Sequence, residues 1–336
     1  MQKNKRLNQS QKAHIYSMIA GGYSNKQIAE TVGVVHQHVN YYRKLLDQSP
    51  VAPPEHKEKL LSAMGKTAVA KAAVVAIEGP RILVLDIETL PLESYTWGLF
   101  DQNVGLNQIK RDWSALSYAA KYIGEDHVYY DDTRNQSTIR DDRDIIAAIC
   151  ALLDECDIVV GQNVKKFDLR KVRARAIMHG LAPFREPLVQ DTMLMARSVG
   201  SFTSNKLEYL TDKLTTTKKL KHKDFPGFDL WLGVMQGNEA AWESMKEYNM
   251  VDILSTEELY LKLRPWVRNH PNMSLFYKDE NKRCPRCGSV NVYPTEVEYK
   301  GVSEYQGYCC RDCGGHSRSR FTLNSKGKRK NLLTCI

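Results

Sequence analysis

The stretch Arg81-Ile-Leu-Val-Leu-Asp-Ile-Glu-Thr-Leu90 constrains the fold more than any other part of the chain. Its aliphatic run is typical of a central strand buried on both faces, and Asp86 and Glu88 interrupt that run. Residues two apart project from the same face of a strand, so both carboxylates lie side by side near its C-terminal end. Such a pair repels itself unless a cation holds it. An isolated Asp-x-Glu also fits one ion-paired acid beside one solvated acid, so the rest of the chain decides.

The length and composition indicate a soluble protein of several domains. The 336 residues suggest two or three domains, and 42% apolar residues suffice for a core. No stretch approaches the roughly 20 apolar residues of a membrane span, and the polar start lacks the apolar region of a signal peptide. Five of the eight cysteines fall between Cys284 and Cys313, which suits metal ligands better than disulfides. We therefore expect an intracellular, cytoplasmic protein in a reducing compartment, without a membrane partner.

The net charge of +9 is concentrated at the two ends of the chain. Residues 1–50 hold seven Lys and Arg against two Asp and Glu, and residues 282–336 hold eleven against four. These ends therefore carry +5 and +7, which leaves −3 for the middle. Basic ends favour nucleic acid as the partner, with DNA expected first, and an acidic centre can accept divalent cations.

Residues 1–50 are predicted to form a helix-turn-helix domain. Ser24 and Gln27 can form a capping box at the start of one helix, Gly33 can end it, and a second helix follows over 36–46. The stretch SNKQIAETVGVVHQHVNYYRKLL resembles the helix-turn-helix of resolvase-like and sigma-like DNA-binding domains. A small helical domain for protein contacts is the alternative. The polar residues predicted to face DNA are Gln37, His38, Asn40, Arg43 and Lys44.

Residues 81–268 are predicted to form an α/β domain, after a Pro-, Lys- and Ala-rich linker over 51–80. Three consecutive strands followed by alternating helix and strand indicate a mixed sheet with ribonuclease H-like topology. The predicted strands are 81–90, 115–123, 127–130, 157–161 and 188–190, and the main predicted helices are 140–153 and 165–178, with further helices to about 263.

Two further motifs carry acidic residues at suitable places. Gly161-Gln-Asn-Val-Lys-Lys-Phe-Asp168 puts Asp168 in the first turn of a helix just after a strand, at the sheet edge where open α/β folds build sites. Tyr248-Asn-Met-Val-Asp252 places a phenol and a carboxylate on one helix face. Taken alone, Asp168 could be a helix-start acid, Asn163 a turn residue and the Tyr-x3-Asp an exposed helix face.

Together, the Asp-x-Glu strand, the Asn-x4-Asp helix start and the Tyr-x3-Asp helix resemble the three motifs of the DnaQ-like 3′→5′ exonucleases of the Asp-Glu-Asp-Asp-Tyr type. The resemblance covers about residues 81–265. It implies that Asp86, Glu88, Asp168 and Asp252 hold two Mg²⁺ or Mn²⁺ ions and that Tyr248 positions the attacking water. Asn163 and Lys206 become candidate nucleic-acid contacts. We expect Asp191 to cap a helix rather than to be a fifth ligand.

The segment 91–112 is rich in aromatic residues. Tyr95, Trp97 and Phe100, with Trp113 just beyond, could stack on nucleic-acid bases. Such clusters more often belong to a core, and we expect that for most of them.

Residues 275–336 are predicted to form a zinc ribbon with a basic tail. Cys284-Pro-Arg-Cys287 and Cys310-Arg-Asp-Cys313 are paired knuckles whose four thiolates suit one structural Zn²⁺. Cys309 could replace Cys310, but two residues between ligands suit a knuckle better. The tail after residue 317 is a nucleic-acid clamp or a solvated terminus.

The sequence therefore predicts a metal-dependent 3′→5′ exonuclease acting on DNA, with RNA as the alternative substrate. A proofreading role would require a replication or recombination protein as partner. Two other classes stay open: a transposase, integrase or structure-specific endonuclease on the same core, and a DNA-binding regulator with an inactive core. The Asp86 and Glu88 pair and Tyr248 argue against strand transfer, and the intact acid set argues against an inactive core.

Overall fold

The computed structural model describes residues 14–15, 18–19, 22–34, 36, 39–40, 42–43, 79–218 and 224–334. Three of the candidate DNA-contacting residues, Gln37, His38 and Lys44, lie outside the described residues. So does the predicted linker, apart from its last two positions.

A five-stranded mixed sheet forms the centre of the molecule. Its strands are β1 (Ile82–Leu90), β4 (Ser114–Tyr122), β5 (Tyr129–Asp132), β6 (Ile158–Gly161) and β7 (Leu188–Asp191), in the order β5-β4-β1-β6-β7. The short strands β2 (Glu93–Ser94) and β3 (Ile109–Arg111) form a separate pair. β4 pairs antiparallel with β1 and β5 with β4, whereas β6 and β7 run parallel to β1. The predicted ribonuclease H-like sheet, with three antiparallel strands followed by two parallel ones, is confirmed.

Helices cover both faces of the sheet. They are α2 (Arg143–Glu155), α3 (Asp168–Met178), α4 (Thr192–Val199), α5 (Leu207–Leu214), α6 (Asp229–Met235) and α7 (Glu239–Leu263). Alternate residues of β1 divide between the faces: Leu83, Leu85 and Ile87 pack in one buried cluster with α2 and α3. Ile82 and Val84 pack in another with α4, α5 and α7. Because side chains alternate along a strand, Asp86 and Glu88 continue the row that faces α7.

The N-terminal helical segment contacts the α/β domain. Helix α1 (Asn25–Val32) begins at the predicted Ser24–Gln27 capping box and ends at Gly33, whose φ of 72° is the left-handed conformation of a helix C-cap. Ile28 and Tyr42 are buried in the same cluster as α2. The Tyr42 hydroxyl donates a hydrogen bond to Glu155 at the end of α2, so this segment packs on the sheet's helical layer.

A three-stranded antiparallel sheet forms the C-terminal module. Its strands are β8 (Val292–Lys300), β9 (Ser303–Cys310) and β10 (His316–Thr322), with β9 in the centre, followed by helix α8 (Lys326–Asn331). The module contacts the segment after α7, since Arg286 Nε donates to the Val267 carbonyl at 3.0 Å and the Met273 amide donates to the Pro285 carbonyl at 2.8 Å. Within the described parts of the chain, no helix is long and apolar enough to span a membrane.

Candidate active site

Asp86 is held by an amide that the sequence reasoning overlooked. Asn249, fully buried on α7, donates from Nδ2 to Asp86 Oδ2 at 2.8 Å. Its Oδ1 accepts from the hydroxyl of Ser117, a fully buried residue of the neighbouring strand β4, at 3.1 Å. This chain of two hydrogen bonds fixes which way the amide points. Asp86 is therefore oriented by both α7 and β4.

Asp168 lies at the start of α3 and reaches β1 through the backbone. The Ile87 amide donates to Asp168 Oδ1 at 3.0 Å, although Asp168 is only 2% exposed. Burial, with a smaller contribution from the nearby Asp191, raises the pKa of the Asp168 carboxyl to about 7 despite the backbone hydrogen bonds that lower it. The ionised carboxylate is thus costly here without a positive charge close by.

A buried ion pair anchors the helix that carries Asp168. Asp142, fully buried at the start of α2, accepts from Arg175 Nε at 2.7 Å and from Arg175 Nη2 at 2.6 Å. The Ala115 amide of β4 donates to the same carboxylate at 2.8 Å. Because Arg175 lies on α3, this bidentate pair ties α3 to α2 and to the sheet.

The turn before Asp168 is shaped by Asn163 and Asp191. Asn163 has a φ of 62°, a left-handed conformation that asparagine tolerates better than most residues. Asp191 caps α4 and also accepts from the backbone amides of Asn163 at 3.1 Å and Lys165 at 3.3 Å. The predicted capping role of Asp191 is confirmed. Lys206 is exposed. It follows Asn205, whose carbonyl accepts a hydrogen bond from Gln162 Nε2 at 2.8 Å, so it lies near this turn.

Tyr248 and Asp252 lie one turn apart on α7, which packs across β1 and β4. Asp252 is 3% exposed. Tyr248 is half-buried and packs against the cluster that contains Leu90 and Leu116. Asn249 lies between them in sequence and donates to Asp86, so α7 lies against the acidic strand. That Tyr248 and Asp252 share a site with Asp86 and Glu88 stays a prediction.

The four candidate carboxylates come from three separate segments that meet at the C-terminal half of β1. Among the described residues, only four cysteines form a group of three or more ligating atoms within 4.8 Å of one another. No three of the carboxylates of Asp86, Glu88, Asp168 and Asp252 therefore have ligating oxygen atoms that all lie within 4.8 Å of one another. Their oxygen atoms are the donors that Mg²⁺ and Mn²⁺ take, so the residue types fit hard divalent cations.

Exposed aromatic side chains follow the acidic strand. Tyr95, Trp97 and Phe100 are all exposed, Trp97 at 98%, so the expectation of core positions was wrong for these three. The reason is that 91–112 folds back on itself through the short strands β2 (Glu93–Ser94) and β3 (Ile109–Arg111), outside the central sheet. Trp113 is half-buried, with Lys171 Nζ 3.7 Å from its ring centre.

A second aromatic pair lies at the end of β1. Trp231 Nε1 donates to the Thr89 carbonyl at 3.2 Å, one residue beyond Glu88. The Trp231 ring is stacked with that of Phe228, which is 53% exposed. No local pattern predicts this pair, because Trp231 reaches β1 only through the tertiary fold.

The C-terminal cysteines form a compact cluster. The sulfur atoms of Cys284, Cys287, Cys310 and Cys313 all lie within 4.8 Å of one another. The pKa of the Cys284 thiol is lowered to about 5, because the Cys287 side chain and the backbone amides of Cys287 and Arg286 hydrogen-bond to its sulfur. Four converging thiols of this kind suit tetrahedral Zn²⁺. Cys309 is outside the cluster, so the spacing of two residues identified the right cysteine.

The two described DNA-contact candidates make contacts within the N-terminal segment. Arg43 Nε donates to Asn25 Oδ1 at 2.8 Å, and Asn25 Nδ2 donates to Asn40 Oδ1. Both Asn40 and Arg43 are half-buried. They therefore join the second helix to the first, and their role in DNA binding stays a prediction.

Comparisons with solved structures include two distant matches. No protein-family model and no curated protein matches the chain. A family B DNA polymerase from the hyperthermophilic archaeon Pyrobaculum calidifontis is 15% identical, with a TM-score of 0.42 over 68% of this chain and 32% of its own. The RNase D of Trypanosoma brucei is 17% identical, with a TM-score of 0.33 over 57% of this chain and 60% of its own. The chain spans less than two thirds of either protein, and the fold assignment rests on strand order and packing.

Proposed function

We propose that the chain is a metal-dependent 3′→5′ exonuclease that hydrolyses phosphodiester bonds of DNA, with RNA as the alternative substrate. One observation carries the proposal: the segments that bear the acids, β1, α3 and α7, contact one another at the C-terminal half of the central strand. Asn249 links α7 to Asp86 and the Ile87 amide links β1 to Asp168. Open α/β sheets build their sites at this edge.

Asp86, Glu88, Asp168 and Asp252 would hold two Mg²⁺ or Mn²⁺ ions. When bound, the ions would supply Lewis acidity to the attacking water and to the leaving 3′ oxygen. The chain itself supplies orientation: Asn249 fixes Asp86, and the Ile87 amide fixes Asp168. Tyr248 would orient the attacking water, since an ordinary phenol keeps its proton at neutral pH and is a poor base there.

The exposed aromatic residues near the acids favour single-stranded nucleic acid as the substrate. Trp97 and Phe100 are exposed in the segment that follows β1, and Phe228 is exposed at the end of the same strand. Aromatic rings stack on single-stranded bases regardless of sequence, with roughly 1–3 kcal/mol per base. We therefore expect single-stranded 3′ ends to be cut faster than blunt duplex ends.

Cleavage of 5′-labelled single-stranded and duplex DNA and RNA with Mg²⁺ or Mn²⁺ tests the proposal. The right substrate should give a ladder that shortens from the 3′ end. Asp86→Asn should abolish cleavage, and Tyr248→Phe should slow it by about 10²-fold, the low end for a positioned proton-transfer group. Glu247→Gln is the matched control, because Glu247 is exposed on the same helix beside Tyr248.

Other products would contradict the proposal. A single internal cut would favour an endonuclease, joined strands would favour a transposase, and binding without any cleavage would favour a regulator. Activity of Asp86→Asn equal to that of the wild type would remove the assignment of the site.

A further inference from the structure

A basic cleft lies between the α/β domain and the C-terminal module. It has a volume of about 380 Å³ and is lined by the segment after α7, the first cysteine knuckle and strands β9 and β10. Its charged and aromatic lining residues are Arg268, Arg286, Arg318, Arg320, His270 and Tyr305. No Asp or Glu lines it. We call this cavity the arginine cleft.

The positive charge of the arginine cleft is not neutralised by the protein around it. None of its four arginines forms an ion pair with a carboxylate in the described part of the chain. The guanidinium carbon of Arg318 lies 3.8 Å from the ring centre of Tyr305, so the planar guanidinium contacts the aromatic ring. His270 adds no charge at neutral pH, because burial, with Arg264 and Arg286 nearby, lowers its pKa to about 4.

Internal hydrogen bonds hold the cleft open between its two walls. Arg286 donates from Nε to the Val267 carbonyl at 3.0 Å and from Nη1 to the His316 carbonyl. Val267 follows α7 and His316 begins β10, so one guanidinium joins both walls. The cleft that the remaining arginines line is therefore already formed without a ligand.

The arginine cleft adjoins a second cavity, with which it shares Arg268. Arg268 also lines a larger cavity of about 900 Å³, together with Lys165, Gln190 and Trp266. Trp266 is 73% exposed. Lys165 belongs to the turn that leads into Asp168, and its amide is held by Asp191. Asp191 lines this cavity as well. The cavity therefore extends from the turn before Asp168 to Arg268, in the segment after α7.

We propose that the arginine cleft binds phosphate groups in the backbone of the nucleic-acid strand whose 3′ end lies at the carboxylates. The inference rests on the proposed exonuclease function for the position of that end. Arginine pairs with phosphate oxygens through its planar fork of donors, and an exposed tryptophan can stack on a base along the way. A free nucleotide or inorganic phosphate shares this chemistry, so the experiment separates the two sources.

The test measures binding of fluorescent single strands by anisotropy, between 50 and 300 mM salt and without chelators. The Asp86→Asn background keeps the strands uncut. Arg268→Gln/Arg320→Gln removes two exposed arginines of the cleft. Each lost phosphate contact should lower the salt slope by about 0.7, so the pair should lower it by about 1.4. The same slope implies about fivefold weaker binding per contact at 0.1 M salt, or roughly 25-fold for the pair.

The control variant is Arg173→Gln/Lys213→Gln, which loses the same charge elsewhere. Arg173 is paired with Glu186 at 2.6 Å and Lys213 with Asp212 at 2.9 Å, so neither cation is available to a strand in the same way. Its slope should match that of the parent. Zinc content measured for both variants shows that the C-terminal module is intact.

Two outcomes would overturn the proposal. One is an unchanged slope and affinity in Arg268→Gln/Arg320→Gln. The other is a loss of mononucleotide or inorganic phosphate binding with strand binding unaffected, which would make the cleft a site for free phosphate compounds. If the wild type cuts no substrate but Arg268→Gln/Arg320→Gln still lowers the salt slope, the exonuclease proposal fails and the proposal of phosphate binding in the cleft is kept. If the wild type cuts and the slope is unchanged, only the cleft proposal fails.

Discussion

Replacing Asn249 by alanine should uncouple the acidic strand from α7. Asn249 is fully buried, donates to the Asp86 carboxylate at 2.8 Å and accepts from Ser117 at 3.1 Å. Alanine removes both hydrogen bonds at once. Asp86 then loses the donor that orients it, and the buried Ser117 hydroxyl loses its acceptor.

The expected cost follows from the two bonds. A hydrogen bond to a charged group contributes about 1.5–3 kcal/mol, and a neutral one contributes about 1 kcal/mol. Because Asp86 is half-buried and keeps partial access to water, we take the low end for it. We therefore expect the free energy of unfolding of Asn249→Ala to fall by about 2.5 kcal/mol.

Urea unfolding and Mn²⁺ titration of single-turnover cleavage would test this reasoning together. Ser117→Ala is the matched control, because it removes the bonds of Ser117 to Asn249 and Tyr130 and leaves the contact between Asn249 and Asp86 in place. It should cost about 1 kcal/mol and leave the Mn²⁺ dependence unchanged. Asn249→Ala should shift the Mn²⁺ midpoint upward, and raising Mn²⁺ should recover part of the rate.

A double-mutant cycle of Asn249→Ala with Asp86→Ala then isolates their contact. We expect an interaction free energy of at least about 1 kcal/mol, as is usual for hydrogen-bonded neighbours. Strictly additive stabilities, or an unchanged Mn²⁺ midpoint in Asn249→Ala, would refute the positioning role of Asn249.

Two other predictions concern the C-terminal half of the chain. Cys287→Ser should lower bound zinc from about one per chain to near zero. Cys309→Ser should retain the zinc, because Cys309 lies outside the sulfur cluster. Elemental analysis after removal of loosely bound metal measures the zinc content of both variants, and equal contents would contradict the prediction. The pKa of His270 is lowered from 6.5 to about 4 by burial and by Arg264 and Arg286, so the unfolded state binds more protons between those values and stability falls as pH falls. Urea unfolding should show a loss of about 2 kcal/mol between pH 7.5 and 5.0 in the wild type relative to His270→Gln, and an equal pH dependence of the two would contradict it.

The fold could be predicted because its signals are local and repeated. A run of aliphatic residues marks β1, and the succession of three strands followed by alternating helix and strand was enough to predict a ribonuclease H-like mixed sheet. The capping box at Ser24 and the left-handed Gly33 were likewise predicted from adjacent residues. Boundaries shifted by a few residues, as for α3, which begins at Asp168 rather than 165 because the left-handed Asn163 turn precedes it.

The features that escaped prediction depend on contacts between distant residues. Asn249 lies 163 positions from Asp86 in sequence, and the two residues meet only because α7 packs across β1. The sequence around Asn249 therefore does not indicate its contact with Asp86. The arginine cleft combines residues from both sides of the cysteine cluster, and no linear motif brings them together. The exposure of Trp97 reflects the self-pairing of β2 with β3, which composition alone does not reveal.

In β1 the aliphatic residues form the core and the two acids lie beyond it, so we expect that the acids can be replaced without loss of the fold. Leu83, Leu85 and Ile87 fill one apolar layer, and Ile82 and Val84 fill the other, so the scaffold depends on these five side chains. Asp86 and Glu88 extend the second row beyond its apolar part and are half-buried. Removing one charge from a set of neighbouring carboxylates relieves repulsion rather than creating a cavity. Asp86→Asn should therefore keep the stability of the protein while losing its chemistry, which makes it a direct test of function.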